Sequence, residues 1–216
     1  MTIVTATPIS TLLRDGTATA HSQAENTSFM SALGSGNLTR QDAVNLTAQY
    51  YFIYTALEQA ARRGCSADPE GVTTSRIADP RLERVPALGR DLAAMIGPDW
   101  REQISPLPAT RQYVATLEHI PDADAPALIA HHYVRYLGDI AGGQVIARVL
   151  AGHYGFTADE LNFYDFSAIG KIPPYRKQYK DTLDSLPFDE VERASLLSNA
   201  RQAFTLNSRV FIELAG

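Results

Sequence analysis

Ala130-His131-His132-Tyr133-Val134-Arg135-Tyr136-Leu137-Gly138-Asp139-Ile140-Ala141-Gly142-Gly143-Gln144 has the spacing of a helix interior, yet three of its residues are glycine. Each helix-interior glycine costs roughly 1 kcal/mol against alanine, so this stretch carries about 3 kcal/mol of local destabilisation. Two arrangements justify that cost: a bend, and a surface where something must approach the backbone closely. Asp139 stands among these glycines, with Arg135 one turn before it. A flat ligand lying on a glycine-floored helix beside one carboxylate fits the pattern. A helix crossing packed through Gly138 and Gly142 fits it as well, and spacing alone does not separate the two.

Working outward, helical periodicity dominates and no run alternates at period two. The pattern predicts a first helix from Ser10 or Thr11 to about Leu33, ending at Gly34-Ser35-Gly36. Thr39, with Asp42 three residues on, caps a second helix that carries Tyr50, Tyr51, Ile53, Tyr54 and Leu57 and stops at Gly64. Residues 64–79 form a polar loop, and helices follow near 80–95 and from Thr110 to His119, with prolines 98, 106 and 108 breaking the stretch between. The glycine-interrupted helix spans about 127–154, residues Asp165 to Pro174 are irregular, and a helix of about ten residues ends near Leu186. Asp189 with Glu192 forms a capping box for the last helix. Its apolar stripe of Ala200, Ala203, Phe204, Phe211 and Leu214 is interrupted by Asn207. The expected fold is all-α, with a flexible N-terminus over residues 1–9 and a single domain over 10–216.

With 216 residues, 45% hydrophobic and 20% charged, the composition is that of one ordinary globular domain. A net charge of -5 argues against nucleic acid as a main partner. The single Cys65 allows no internal disulfide and fits a reducing, cytoplasmic setting. Residues 1–8 lack a basic start and a sustained apolar run, so no secretory signal is expected, and no apolar stretch reaches the length of a membrane span.

Few residues offer chemistry. His21 shares a face with Arg14, seven residues earlier, and with Glu25 one turn later. A histidine in this setting binds a transition metal through one nitrogen while a carboxylate orients the other, or it is merely structural. His131 and His132, being adjacent, face different ways and cannot chelate together. No Glu-x-x-His occurs, since the residues three before each histidine are Ala18, Thr116, Leu128, Ile129 and Leu150, which argues against a di-iron carboxylate bundle. Lys171, Arg176, Lys177 and Lys180 form a basic cluster in which Arg176 and Lys180 share a face; it suits ligand carboxylates or phosphates, or is a solvated surface. Asp139 is either a structural partner of Arg135 or an acid in a proton relay.

These residues, taken in order, resemble the all-α, biliverdin-forming haem oxygenase family, with bacterial haem-iron-utilisation members closest in look. The resemblance rests on Leu13-Arg14, on His21-Ser22-Gln23-Ala24-Glu25-Asn26, on Phe29-Met30, on the Ala130 to Gln144 stretch, and on Ala203-Phe204-Thr205-Leu206-Asn207 with Phe211. It implies haem b, as substrate and cofactor, between a proximal N-terminal helix and a glycine-kinked distal helix. It implies that His21 is the axial iron ligand, oriented by Glu25, and that Gly138, Gly142 and Gly143 line the distal helix beside Arg135. Asp139 would anchor the water that delivers a proton during oxygen activation. Arg14, Tyr133, Arg176 and Lys180 would hold the propionates, and Phe204 and Asn207 would lie at the pocket. Dioxygen would be co-substrate, and electrons would come from a separate ferredoxin or flavoprotein reductase, because no flavin, nicotinamide or iron–sulfur motif is present. The expected products are biliverdin (α isomer), carbon monoxide and ferrous iron, released by a monomer for iron acquisition. A non-catalytic haem-binding or haem-storage protein on the same fold is the alternative. Three positions depart from the family pattern: Ala18, where relatives often carry a basic residue, Ala141 in place of a common serine, and Pro173-Pro174, which are expected to interrupt the approach to Arg176.

Overall fold

The computed structural model describes residues 7–216 and, among these, contains helices and no strand. The elements are α1 (Ile9–Glu25), α2 (Ser28–Gly34), α3 (Arg40–Ser66), α4 (Thr74–Ile77), α5 (Val85–Ile96), α6 (Trp100–Gln103), α7 (Pro108–Glu118), α8 (Ala125–His132), α9 (Gly138–Tyr154), α10 (Ile172–Asp184) and α11 (Glu190–Leu214). Residues 1–6 of the expected flexible N-terminus lie outside the described residues. The first helix starts at Ile9, which is buried, so the ordered core begins one residue before the expected boundary.

The expected first helix is two. Asn26 turns its amide back onto the Ser22 carbonyl at 2.7 Å, and Thr27 is extended, so the chain leaves α1 and re-enters as α2. Asparagine offers the backbone a local alternative to the helical bond. Both predicted capping boxes are present: Thr39 with Asp42 opens α3, and Asp189 with Glu192 opens α11. Gly64 does not stop α3. It is a packing residue, because any side chain there would strike Leu128 of α8, and the helix runs two residues further. The polar loop that follows contains the short α4. Pro108 and Pro173 begin helices α7 and α10 rather than breaking them, since a first-turn residue has no intrahelical N–H bond to lose. The approach to Arg176 is therefore helical.

Helices α8 and α9 are joined without a break through a π-helical turn, Tyr133–Leu137. The widening thus sits one turn before the glycines, and it is the kind of insertion that bends helices at functional sites. Helix α11 runs through the middle of the molecule against α1, α7 and α8. Gly16 of α1 lets Leu197 of α11 approach where a side chain would stand.

His131 and His132 do diverge, as adjacency requires. The His131 ring lies 5.6 Å from that of Tyr113, and His132 Nδ1 lies 2.9 Å from the Tyr179 hydroxyl. Burial lowers their pKa values to about 4 and about 3. The folded state therefore binds fewer protons than the unfolded chain, and stability falls as pH drops from about 6.5 towards those values. Each histidine contributes a slope of about 1.4 kcal/mol per pH unit in that window. His131→Leu should flatten the urea-unfolding stability curve between pH 6.5 and 4.5 by one such slope. Parallel curves for variant and wild type would mean that His131 takes up its proton without unfolding.

Candidate active site

One face of α1 and the junction of α8 and α9 enclose a cleft of about 370 Å³. Its α1 wall carries Arg14, Thr17, Ala18 and His21. The opposite wall carries Tyr133, Leu137, Gly138 and Ala141, Phe204 of α11 closes the interior, and Arg176 and Lys180 of α10 complete the lining. This volume is in the usual range for a small-molecule site. The positions where the chain departs from the family pattern, Ala18 and Ala141, both line it.

His21 Nδ1 lies 3.2 Å from Glu25 Oε2, as the one-turn spacing predicts. Donation of the Nδ1 proton to that carboxylate leaves the Nε2 lone pair for a ligand. Phe204 meets the imidazole edge-on at 5.5 Å and restricts its rotation. Half of the His21 side chain is exposed, on the cleft side.

The opposite wall is built differently from expectation. Gly138 and Gly142, one turn apart, leave open space where a side chain would project, and Gly138 lines the cleft. Gly143 does not share their role. It is buried, and a side chain there would press on the Tyr164 ring at 3.1 Å, so this glycine admits the following segment rather than a ligand. Asp139 sits behind Gly138 with its side chain 15% exposed and Oδ2 without a partner. Its Oδ1 is 3.8 Å from Arg135 Nη2, too far for a hydrogen bond. Burial raises the Asp139 pKa well above the carboxylate range. Arg135 donates instead to Asn207 Oδ1 at 2.7 Å, which explains why an asparagine interrupts the α11 stripe.

The basic residues divide. Arg14 lines the cleft as expected, with its exposed guanidinium also paired to its neighbour Asp15, Nε to Oδ1 at 2.7 Å and Nη2 to Oδ2 at 3.2 Å. Lys177 is tied to Asp181 at 2.6 Å. Arg176 keeps a buried Nε without a partner, and with Lys180 it faces the cleft. The sequence reading missed Tyr50 and Tyr54, whose rings flank the Arg135 guanidinium at 4.5 and 5.0 Å. Their i, i+4 spacing was visible, but it is also the spacing of an apolar stripe.

Asp139 has a measurable cost. Because its folded pKa is raised, the folded state binds the proton more tightly than the unfolded chain does. Stability is highest below the ordinary aspartate value and declines as pH rises above it. Asp139→Asn, which cannot ionise, should stabilise the haem-free protein at pH 7 by about 1.4 kcal/mol for each unit of upward shift, and the gain should shrink towards pH 4. Denaturant titrations at pH 7 and pH 4.5 measure this. A pH-independent difference would show that Asp139 is an ordinary ion-pair partner.

Likeness to known proteins follows the same pattern. The family profile described as Heme oxygenase matches residues 7–213. Heme oxygenase 1 of Nostoc sp. is 35% identical over 210 residues, covering 94% of this chain and 84% of that protein. The heme oxygenase of Rhodella violacea is 34% identical over 203 residues, covering 94% and 85%. The crystal structure of heme oxygenase-1 from Synechocystis sp. in complex with heme has a TM-score of 0.89 at 29% identity, covering 96% of this chain and 92% of that one. Heme oxygenase-2 from the same organism, in complex with heme and NO, gives 0.89 at 35% identity over 96% and 85%. Among the described residues no helix is long and apolar enough to cross a membrane. From Thr7 almost to its end, the chain belongs to the haem oxygenase family, enzymes that open haem to biliverdin.

Proposed function

We propose that haem lies in the cleft with His21 as its axial ligand and its propionates at Arg14, Arg176 and Lys180. The observation that carries this reading is the opposition, across one cleft, of an imidazole with a free Nε2 and a glycine that leaves open room. Haem is flat and apolar with two carboxylates on one edge, and the cleft offers apolar lining together with the cations Arg14, Arg176 and Lys180. The buried, unpartnered Nε of Arg176 also lacks the acceptor that a propionate would supply. When bound, haem supplies the iron that activates dioxygen and the meso carbon that is oxidised.

The chain's own residues then do four things. Glu25 fixes the His21 tautomer. Gly138 and Gly142 keep the distal space free of side chains. Asp139, whose burial favours the protonated carboxyl, holds a proton behind Gly138 and passes it through anchored water. Arg14, Arg176 and Lys180, with Tyr133, would hold the propionates and so fix which meso carbon is oxidised, the α carbon in this reading. Electrons come from a separate protein, a ferredoxin or a flavoprotein reductase. Iron release for acquisition, in a cytoplasmic monomer, completes the reading.

Haem titration followed by aerobic turnover with ascorbate or reduced ferredoxin tests it. Loss of the Soret band with bile-pigment absorbance is the expected result, and a stable oxygen complex that never bleaches would instead favour haem storage. Arg176→Ala should weaken haem binding by about 10–150-fold, as loss of a charge-assisted hydrogen bond worth about 1.5–3 kcal/mol implies. Combined with Lys180→Ala it should also yield mixed biliverdin isomers on chromatography. Unchanged affinity and a single isomer would return both residues to the solvated surface.

A further inference from the structure

Arg135 is a buried cation that lies within ion-pair distance of its nearest carboxylate but makes no hydrogen bond to it. Nη1 donates to Asn207 and the Tyr50 hydroxyl also interacts with the guanidinium, while Nε and Nη2 have no well-formed hydrogen bond. Asp139, one turn on, remains 3.8 Å away. Against the guanidinium lie two rings of α3, Tyr50 at 4.5 Å and Tyr54 at 5.0 Å. Both tyrosines are buried and, four residues apart, share a helix face. The Tyr50 ring is backed by Phe163 at 5.5 Å, and the Tyr54 ring by Phe163 at 5.3 Å and Tyr136 at 5.4 Å. Neither ring can swing away from the cation without displacing another aromatic side chain.

We infer that Tyr50 and Tyr54 are positioning residues that park the Arg135 guanidinium on their ring faces, short of hydrogen-bond contact with Asp139, so that this carboxyl is not locked into a hydrogen-bonded ion pair. The inference rests on the reading of Asp139 as the group that holds the proton. A guanidinium is attracted to aromatic faces and stacks on them, being weakly hydrated and planar. A closed Arg135–Asp139 pair would favour the charged carboxylate and keep the proton off it. The groups around Asp139 are few. Arg135 comes from its own helix, Tyr50 from α3 and Tyr164 from the segment after α9 are close enough to feel its charge, and α11 supplies only the neutral Asn207. Arg135 is the one cation in that set, so its placement decides how readily Asp139 gives and takes a proton. Burial raises the pKa of Asp139.

The test is a ¹³C NMR titration of the Asp139 carboxyl in the haem-free full chain, with the resonance assigned by its loss in Asp139→Asn. Wild type is expected to titrate well above the ordinary aspartate range. Tyr50→Leu and, separately, Tyr50→Met remove the ring, let the guanidinium close on Asp139, and should lower the titration by about 1–3 pH units. Tyr50→Phe keeps the ring and should titrate with wild type. Leu and Met variants at the wild-type position, or a Phe variant displaced as far as they are, would overturn the positioning role. An unshifted titration alongside an inactive Asp139→Ala enzyme would remove Tyr50 and leave the proposed role of Asp139 intact. A fully active Asp139→Ala enzyme would remove that role whatever the titration shows.

Discussion

Asp139→Ala is expected to lower biliverdin formation by about 10²–10⁴-fold while haem stays bound through His21, the span contributed by a positioned acid–base group. That range corresponds to about 2.7–5.5 kcal/mol of barrier. The residue does not itself line the cleft, so its loss should spare haem affinity and the Soret spectrum. Asp139→Asn keeps the size, removes the ionisable proton and reverses one hydrogen-bond direction, and should be impaired as well. Because the same Asn variant is predicted to be more stable than wild type, loss of activity cannot be assigned to loss of fold. Single-turnover bleaching of the haem complex, with the product quantified, is the measurement. An Asp139→Ala enzyme producing biliverdin at the wild-type rate would reduce Asp139 to a structural neighbour of Arg135.

His21→Ala should abolish the histidine-ligated spectrum of the haem complex and cut turnover by more than the roughly 10–100-fold lost when even the partner of a ligating histidine is removed. Added imidazole, diffusing into the space beside Phe204, should restore part of both. Glu25→Gln removes the charge that orients Nδ1 but keeps an acceptor at the 3.2 Å contact, so a smaller effect on the same spectrum is expected. If His21→Ala keeps the wild-type spectrum and rate, the iron has another ligand and the orientation of haem in the cleft must be redrawn.

Much of this molecule was legible along the chain. The all-α class follows from a 3.6-residue period, and both capping boxes follow from side chains that bond their own backbone three residues away. The divergence of His131 and His132 and the meeting of His21 with Glu25 are likewise geometry within one helix. The family resemblance then supplied the roles that spacing left open, and the cleft brings His21, Gly138, Tyr133, Phe204, Arg176 and Lys180 to one place.

Other features depended on partners far away in sequence. Gly64 looks like a helix stop until Leu128 fills the space above it, and Gly143 looks like part of a ligand floor until Tyr164 is seen against it. Arg135 has a carboxylate one turn away, yet Asn207, 72 residues on, takes its hydrogen bond and two rings of α3 take its face. The physical reason is common to all three. Helical spacing and caps are local, so residue order alone determined the elements, their faces and the candidates each face presents. Which candidate meets a ligand, and which is consumed by a neighbour, depends on where separate helices pack and on which buried polar groups are left to find partners. Only the assembled fold decides that.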